Sequence, residues 1–217
     1  MGGNGWGNHE LEYYTPGARN AALDGAGHLV IEARRESVGG NAYTSARLLT
    51  KGHFAQAYGR FEARIRPPTG SGIWPAFWTL GANIDTVGWP AAGELDVMEI
   101  VGPHPSTVYG TAHAGGSGGT WQDGGAFTLT SGAFGDAYHV FAMEWTPYVV
   151  RWYVDSTLYH ATTRAQLTGA QQWAFDHPFF IILNVAVGGD WPGAPAGDAT
   201  FPQRMVVDYV RVYRADP

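Results

Sequence analysis

The stretch Gly59-Arg60-Phe61-Glu62-Ala63-Arg64-Ile65-Arg66 decides the fold class of this 217-residue sequence. Apolar Phe61, Ala63 and Ile65 alternate with charged residues along it. Successive side chains of a β-strand point to opposite faces of the sheet, so this pattern predicts a strand with one face on a core and the other in solvent.

Similar strand-like runs recur along the chain, separated by turns that draw on 31 glycines and 13 prolines. Regularly spaced short strands with turn signals between them are typical of an all-β sandwich or barrel. Only residues 163–172 suggest a short helix, and no repeat or linker divides the sequence. We therefore predict a single all-β sandwich domain over residues 1–217, with strands within 28–35, 54–66, 73–80, 94–101, 107–113, 139–145, 149–153, 179–187 and 205–213.

The composition excludes several classes of protein. Aromatic residues make up 14% of the chain and charged residues 15%, which is the opposite of intrinsic disorder. Cysteine is absent, so there is no disulfide, thiolate nucleophile or zinc–thiolate site. A net charge of −6 argues against a groove that follows nucleic-acid phosphates. No apolar run approaches the roughly 20 residues of a membrane helix.

Three carboxylates lie within the otherwise apolar stretch Gly93-Glu94-Leu95-Asp96-Val97-Met98-Glu99-Ile100. In a regular strand Glu94 and Asp96 share a face and Glu99 points to the other side. A one-residue bulge at Val97-Met98 would return Glu99 to the face of the other two acids. The regular register would bury an unpaired charge at a cost of several kcal/mol, so we predict the bulge.

Three acids on one face repel each other, which should raise at least one pKa. A retaining glycosidase needs one ionised and one protonated carboxyl group about 5 Å apart, and Glu94 and Glu99 could form that pair with Asp96 between them. The alternatives for the bare pattern are a solvated acidic strand face or a cation site. The coupled carboxylates also lead us to expect an acidic pH optimum.

Tryptophans flank the acids at Trp74, Trp78 and Trp89. Their even spacing places Trp74 and Trp78 on one face of a strand. Indole rings stack on the apolar faces of sugars, so these residues are candidate carbohydrate contacts. The alternative for Trp78 is an ordinary position in the core.

Glu94-Leu95-Asp96-Val97-Met98-Glu99 resembles the bulged E-x-D-x-x-E active-site signature of glycoside hydrolase family 16. The resemblance extends over essentially the whole chain and is nearest to bacterial laminarinases, which are endo-1,3-β-glucanases. Its other blocks are Gly5-Trp6-Gly7-Asn8-His9-Glu10-Leu11, Tyr58-Gly59-Arg60-Phe61-Glu62-Ala63-Arg64, Trp74-Pro75-Ala76-Phe77-Trp78, Gly110-Thr111-Ala112-His113, Glu144-Trp145-Thr146-Pro147, the stretch 179–189, and Asp208-Tyr209-Val210-Arg211-Val212-Tyr213.

The resemblance implies a β-jelly-roll sandwich of two antiparallel sheets with a concave substrate cleft. It implies retaining hydrolysis of 1,3-β-glucans, with Glu94 as nucleophile, Glu99 as general acid/base and Asp96 assisting. No cofactor is expected for catalysis. The residues that it suggests as sugar contacts are Asn8, Arg64, Trp74, Trp78, Trp89, His113 and Asn184, with Gln203 as a further amide.

The resemblance also suggests a structural calcium ion held by Asp208 and the backbone carbonyl of Gly27. Taken without it, His113 and the amides are ordinary structural groups, and Asp208 is an ordinary strand-edge acid. Family members usually begin with a strand carrying an Asp-Glu-Phe-like block, which this sequence lacks. We therefore expect a domain without that first strand and an exposed edge along residues 206–213.

Several functional alternatives remain open at this stage. The same fold and mechanism could act on mixed-linkage 1,3-1,4-β-glucan or an algal galactan, or the protein could be a lectin-like β-glucan binder without turnover. We expect a β-glucan partner, no nucleic-acid or membrane partner, and a monomer. The chain has no signal-peptide pattern. Secretion is expected from the substrate class, because polymeric glucan lies outside the cell.

Overall fold

The computed structural model describes residues 1–116, 119–197 and 199–214. One four-residue helix, α1 (Ile84–Val87), and 3-10 turns at Gly5–Gly7, Phe134–Asp136 and Arg164–Gln166 accompany fifteen described strands. The strands are β1 (Glu12–Tyr14), β2 (Ala21–Leu23), β3 (Leu29–Ala33), β4 (Tyr43–Ser45), β5 (Arg47–Leu49), β6 (Gly59–Arg66), β7 (Ile73–Gly81), β8 (Glu94–Glu99), β9 (Thr107–Gly116), β10 (Gly119–Thr128), β11 (His139–Trp145), β12 (Val149–Val154), β13 (Thr157–Thr163), β14 (Phe179–Val187) and β15 (Gln203–Tyr213).

Two antiparallel sheets form the sandwich. The six-stranded sheet has the order β10-β9-β8-β7-β14-β5, and the seven-stranded sheet has the order β13-β12-β11-β6-β15-β3-β2. Strands β1 and β4 form a separate short parallel pair. Large side chains that are fully shielded from solvent fill the space between the sheets, among them Phe61, Phe77, Phe141, Trp145 and Trp152. This arrangement confirms the predicted all-β sandwich.

Strand β6 shows why the opening pattern determines this architecture. Phe61, Ala63 and Ile65 are fully buried between the sheets, while Arg60 and Arg64 lie on the outer face. β6 pairs with β11 on one side and β15 on the other, so it is an interior strand of its sheet. The alternation along β6 therefore indicates which face of the seven-stranded sheet packs on the core.

Each of the nine predicted strand regions contains an observed strand. The prediction missed several shorter or more polar strands, chiefly β10 and β13. The predicted helix over residues 163–172 is wrong: only the 3-10 turn Arg164–Gln166 forms there. Thr168 and Gly169 follow within three residues of that turn, and both residue types disfavour continuation of a helix.

The C-terminal strand β15 has neighbouring strands on both sides along only part of its length. β15 pairs with β3 only over residues 203–207, whereas residues 206–213 pair with β6. In the described part of the chain, residues 209–213 therefore have a hydrogen-bonded strand on one side, whereas residues 206 and 207, which were also expected at the exposed edge, pair on both sides. No helix among the described residues has the length and hydropathy needed to cross a membrane.

Candidate active site

The predicted bulge is present in β8, the strand that carries the three acids. Against β9, Asp96 pairs with Thr111 and Glu99 pairs with Tyr109, so three residues of β8 span two of β9. Leu95 and Ile100 enter the core, while Glu94, Asp96 and Glu99 all line one cleft on the outer face of the six-stranded sheet. The extra residue therefore brings all three carboxylates to a single surface.

Neighbouring strands fix the orientation of these carboxylates. Trp74 Nε1 on β7 donates to Glu99 Oε1 at 3.0 Å. His113 Nε2 on β9 lies 3.0 Å from Asp96 Oδ2. Trp89 and Glu94 line the same cleft. Asp96 and Glu99 thus have partners on the two strands that flank β8.

Burial is the main influence on the proton affinity of the cluster. Asp96 and Glu99 are only 3% and 8% exposed. Burial, followed by repulsion from Asp96, raises the pKa of Glu94 to about 8, and burial raises the pKa of Asp96 to about 8. Burial and repulsion from both neighbours raise the pKa of Glu99 well above its usual value of 4.5. Burial and mutual repulsion therefore keep at least one proton on the cluster at neutral pH.

Aromatic side chains line the walls of the cleft, which has a volume of about 920 Å³. Trp78 Nε1 donates to Asn184 Oδ1 at 2.8 Å, which fixes the indole over the sheet. Trp74 packs edge-on against Trp191. Trp89 is 57% exposed at the rim. The volume and the mixture of aromatic and polar groups suit an extended, polar ligand with apolar faces.

A buried ion pair forms part of the cleft away from the acids. Arg47 Nη2 donates to both carboxylate oxygens of Glu10 at 3.0 Å. Its guanidinium lies 4.0 Å from the centroid of the Trp6 ring and 5.5 Å from that of Trp78. Asn8 Nδ2 also donates to Glu10, at 3.3 Å. This group supplies fixed hydrogen-bond donors and an indole face for a ligand.

Most of the suggested sugar contacts line this cleft, but two do not. The structure brings together Asn8, Trp74, Trp78, Trp89, His113 and Asn184. Arg64 lies on the outer face of the opposite sheet, where Nη1 donates to Asp208 Oδ2 at 2.7 Å, so its suggested role is wrong for this cleft. Gln203 lies on that same sheet and donates to Thr200. The strand alternation that buries Phe61 and Ala63 turns Arg64 away from the core.

One group of side chains in the described residues has the donor set of a metal site. Ligand atoms of Glu94, Asp96 and His113 all lie within 4.8 Å of one another. A metal would require these carboxylates to be deprotonated, whereas their burial favours the protonated forms.

Sequence reasoning missed five of the aromatic or charged residues that line the cleft. Tyr109 shares a strand face with His113, so its alternation was an available signal. Trp6 and Glu10 lie within the block of residues 5–11 that resembles the family, but that block singled out only Asn8 as a sugar contact. Trp191 follows a glycine-rich stretch, and Arg47 is a single cation at the start of a short strand; neither carries a local signal. The missed residues are Trp6, Glu10, Arg47, Tyr109 and Trp191.

Comparisons with known proteins agree with this geometry. The sequence model of the family described as glycosyl hydrolases family 16 matches residues 10–211. A beta-glucanase of Rhodothermus marinus is 47% identical over 225 residues, covering 99% of this chain and 77% of that protein. The laminarinase catalytic domain of Thermotoga maritima MSB8 superposes with a TM-score of 0.92 at 48% identity, covering 100% of this chain and 91% of that one. The structure of an endo-beta-1,3-glucanase of Pyrococcus furiosus superposes with a TM-score of 0.89 at 45% sequence identity. The match covers 99% of this chain and 86% of that one.

Proposed function

This chain belongs to glycosyl hydrolase family 16, and from that premise we propose that its cleft hydrolyses internal 1,3-β-glucosidic bonds of laminarin-type β-glucans with retention of configuration. The observation that carries the proposal is the bulge in β8, which brings Glu94, Asp96 and Glu99 onto the floor of an aromatic cleft. Relatives named as a beta-glucanase, a laminarinase and an endo-beta-1,3-glucanase support the choice of substrate.

Glu99 serves as the general acid in the first step. Its raised pKa favours the protonated form of the carboxyl group, and the Trp74 indole holds one of its oxygens. Glu99 delivers its proton to the glycosidic oxygen as the bond to the leaving sugar breaks.

Glu94 serves as the nucleophile. Burial and repulsion from Asp96 raise its pKa to about 8, while His113, Trp89 and Arg47 oppose that rise, so the ionised form that attacks becomes more populated as the pH rises toward 8. Its carboxylate attacks the anomeric carbon and forms a glycosyl ester. Glu99, now a carboxylate, takes a proton from water, which attacks the anomeric carbon, breaks the ester and releases the sugar.

Asp96 lies between the other two acids and acts on both. Its charge raises the pKa values of Glu94 and Glu99, and His113 lies against it. A proton shared within this group keeps one carboxyl protonated while another is ionised.

Product release from defined polysaccharides tests this function. We expect new reducing ends from laminarin, fewer from lichenan and none from agarose. Glu94→Gln should retain oligosaccharide binding and lose turnover, and Glu99→Gln should lose about 10²- to 10⁴-fold in rate. Glu144→Gln, on the outer face of the other sheet, is the matched control. Binding to laminarin without release of reducing ends would instead indicate a non-catalytic binder.

A structural calcium ion at Asp208 and Gly27 is poorly supported. Asp208 Oδ2 already accepts from Arg64 Nη1, and a guanidinium beside the carboxylate repels a second cation. We therefore propose that folding of this domain does not require calcium.

We also propose that the protein works outside the cell as a monomer. The support is the size of a polymeric glucan, which does not cross a membrane, and the completeness of the cleft within one chain. Fractionation of the producing cells and the elution volume on size exclusion test the two statements separately.

A further inference from the structure

A tryptophan of the opposite sheet contacts the bulge from behind. Trp152 lies on β12 and is fully buried in the core. Its Nε1 donates to the main-chain oxygen of Asp96 at 2.7 Å. Asp96 is the residue at which the register of β8 shifts, so this hydrogen bond crosses the sandwich and ends where the bulge begins.

Gly110 makes room for this indole. The pairs Asp96–Thr111 and Glu99–Tyr109 place Gly110 opposite the bulge. A Cβ atom at Gly110 would lie 2.3 Å from Trp152 Cδ1 and 2.5 Å from the Tyr159 hydroxyl, closer than such contacts allow. The ring can therefore reach the Asp96 carbonyl because β9 has no side chain at this point.

We propose that Trp152 is a positioning residue for catalysis, whose indole N–H holds the Asp96 carbonyl and thereby the bulge that turns Glu99 into the cleft. The inference rests on the proposed role of Glu99 as the general acid/base. Trp152 itself touches neither substrate nor reacting atoms, because it lies on the core side of the six-stranded sheet.

The burial of the indole N–H explains why its hydrogen bond favours one position of the bulge. A bulge interrupts the regular ladder, so hydrogen bonds from the sheet alone specify its position less strictly. If the bulge moved along β8, the Trp152 N–H would lose its acceptor inside the core, where an unpaired donor is costly. The hydrogen bond therefore favours the one register in which Glu94, Asp96 and Glu99 share a face.

The chain offers a matched control for this residue. Trp145 is also fully buried, and its Nε1 donates to the main-chain oxygen of Phe175 at 3.0 Å. Trp152→Phe and Trp145→Phe thus remove the same atoms and one equivalent hydrogen bond each. Only the first of these hydrogen bonds ends at the active-site bulge.

The experiment compares two substrates that differ in their need for an acid. A 1,3-β-gluco-oligosaccharide requires protonation of its leaving oxygen, whereas a dinitrophenyl β-laminaribioside does not. Trp152→Phe should lower kcat/KM on the oligosaccharide by about 10- to 100-fold, as expected for a misplaced acid. Its loss of kcat/KM on the dinitrophenyl substrate should be much smaller, because kcat/KM reports the first step and not the later hydrolysis, in which Glu99 acts as base for both substrates. Trp145→Phe should stay near wild type on both.

A second variant guards against a simple folding defect. Replacing Trp152 with β-(3-benzothienyl)alanine keeps the bicyclic ring and removes only the N–H, and it should reproduce the selective loss. Equal activities of the 152 and 145 variants, or an equal loss on both substrates, would overturn the inference.

A wild-type protein that cleaves neither substrate would instead overturn the proposed function. A crystal structure of the benzothienylalanine variant tests the positioning role without activity. We expect the Glu99 carboxylate to leave hydrogen-bonding distance of Trp74 Nε1, and an unchanged bulge and contact would contradict the inference.

Discussion

Glu12 gives the sharpest prediction on stability, because it is a carboxyl group buried behind the cleft without a cationic partner of its own. It is 1% exposed, and Oε2 accepts from the Val187 backbone N–H at 2.6 Å. Burial first, and then hydrogen bonding and repulsion from Glu10, raise its pKa to about 8. Tyr14 and Arg47 are the other ionisable groups near it, and β14 faces it with the backbone N–H of Val187.

The sign of the effect follows from proton binding in the two states. Above its ordinary pKa of 4.5 the unfolded chain loses the Glu12 proton, whereas the folded protein retains it up to about pH 8. The folded state then binds more protons, so stability falls as pH rises through this window. At 1.36 kcal/mol per pH unit, this single group lowers the free energy of unfolding by about 3 kcal/mol at pH 7 relative to pH 4.5.

Glu12→Gln mimics the protonated carboxyl group and does not titrate. We expect it to match wild type near pH 4.5 and to be about 3 kcal/mol more stable at pH 7, a rise of about 6 to 12 °C in Tm. Urea unfolding at half-unit pH steps between 4.5 and 8 measures the difference. Glu62→Gln is the control: Glu62 is 8% exposed but accepts from Arg60 Nε at 2.8 Å, so its neutralisation should destabilise. A stability difference for Glu12→Gln that does not change with pH would refute the reasoning.

Three further predictions follow from the same contacts. Because burial and repulsion from Asp96 raise the pKa of Glu94 to about 8, and the nucleophile must be ionised, the acid limb of the pH–rate profile should lie well above the ordinary glutamate pKa of 4.5; a limb near pH 4 would contradict this. Arg47→Met should cost about 3 to 5 kcal/mol in urea unfolding by leaving Glu10 buried and unpaired, and adding Glu10→Gln should restore part of the loss. Calcium and EDTA should give the same Tm, since Asp208 is paired with Arg64, and a calcium-dependent rise would reverse that assignment.

The sequence was sufficient to predict the two-sheet sandwich and the three carboxylates on the floor of the cleft. Alternation in β6 predicted a half-buried strand, and the cost of burying Glu99 predicted the bulge in β8. Both arguments depend on residues a few positions apart, where strand geometry alone decides which side chains share a face. Strand β10 was not predicted because its glycines and threonines show little apolar alternation.

Contacts between segments that are far apart in the sequence could not be predicted from such local patterns. Arg47 and Glu10 are 37 residues apart, and nothing local indicates that they pair. The error over Arg64 has a related cause: a motif can place a residue on a strand without saying which sheet the strand joins. The contact of Trp152 with Asp96 spans 56 residues and both sheets, so only the folded structure displays it.

The most direct test of the central claim is to trap the reaction intermediate and locate it. Incubation with a 2-deoxy-2-fluoro laminaribiosyl fluoride should stop the enzyme at the glycosyl ester, and mass spectrometry of the digested protein then identifies the labelled residue. We predict one label per chain, on Glu94, and none on Glu94→Gln. A label on Glu99 or Asp96, or inactivation without any ester, would contradict the assignment of the nucleophile and the retaining mechanism built on it.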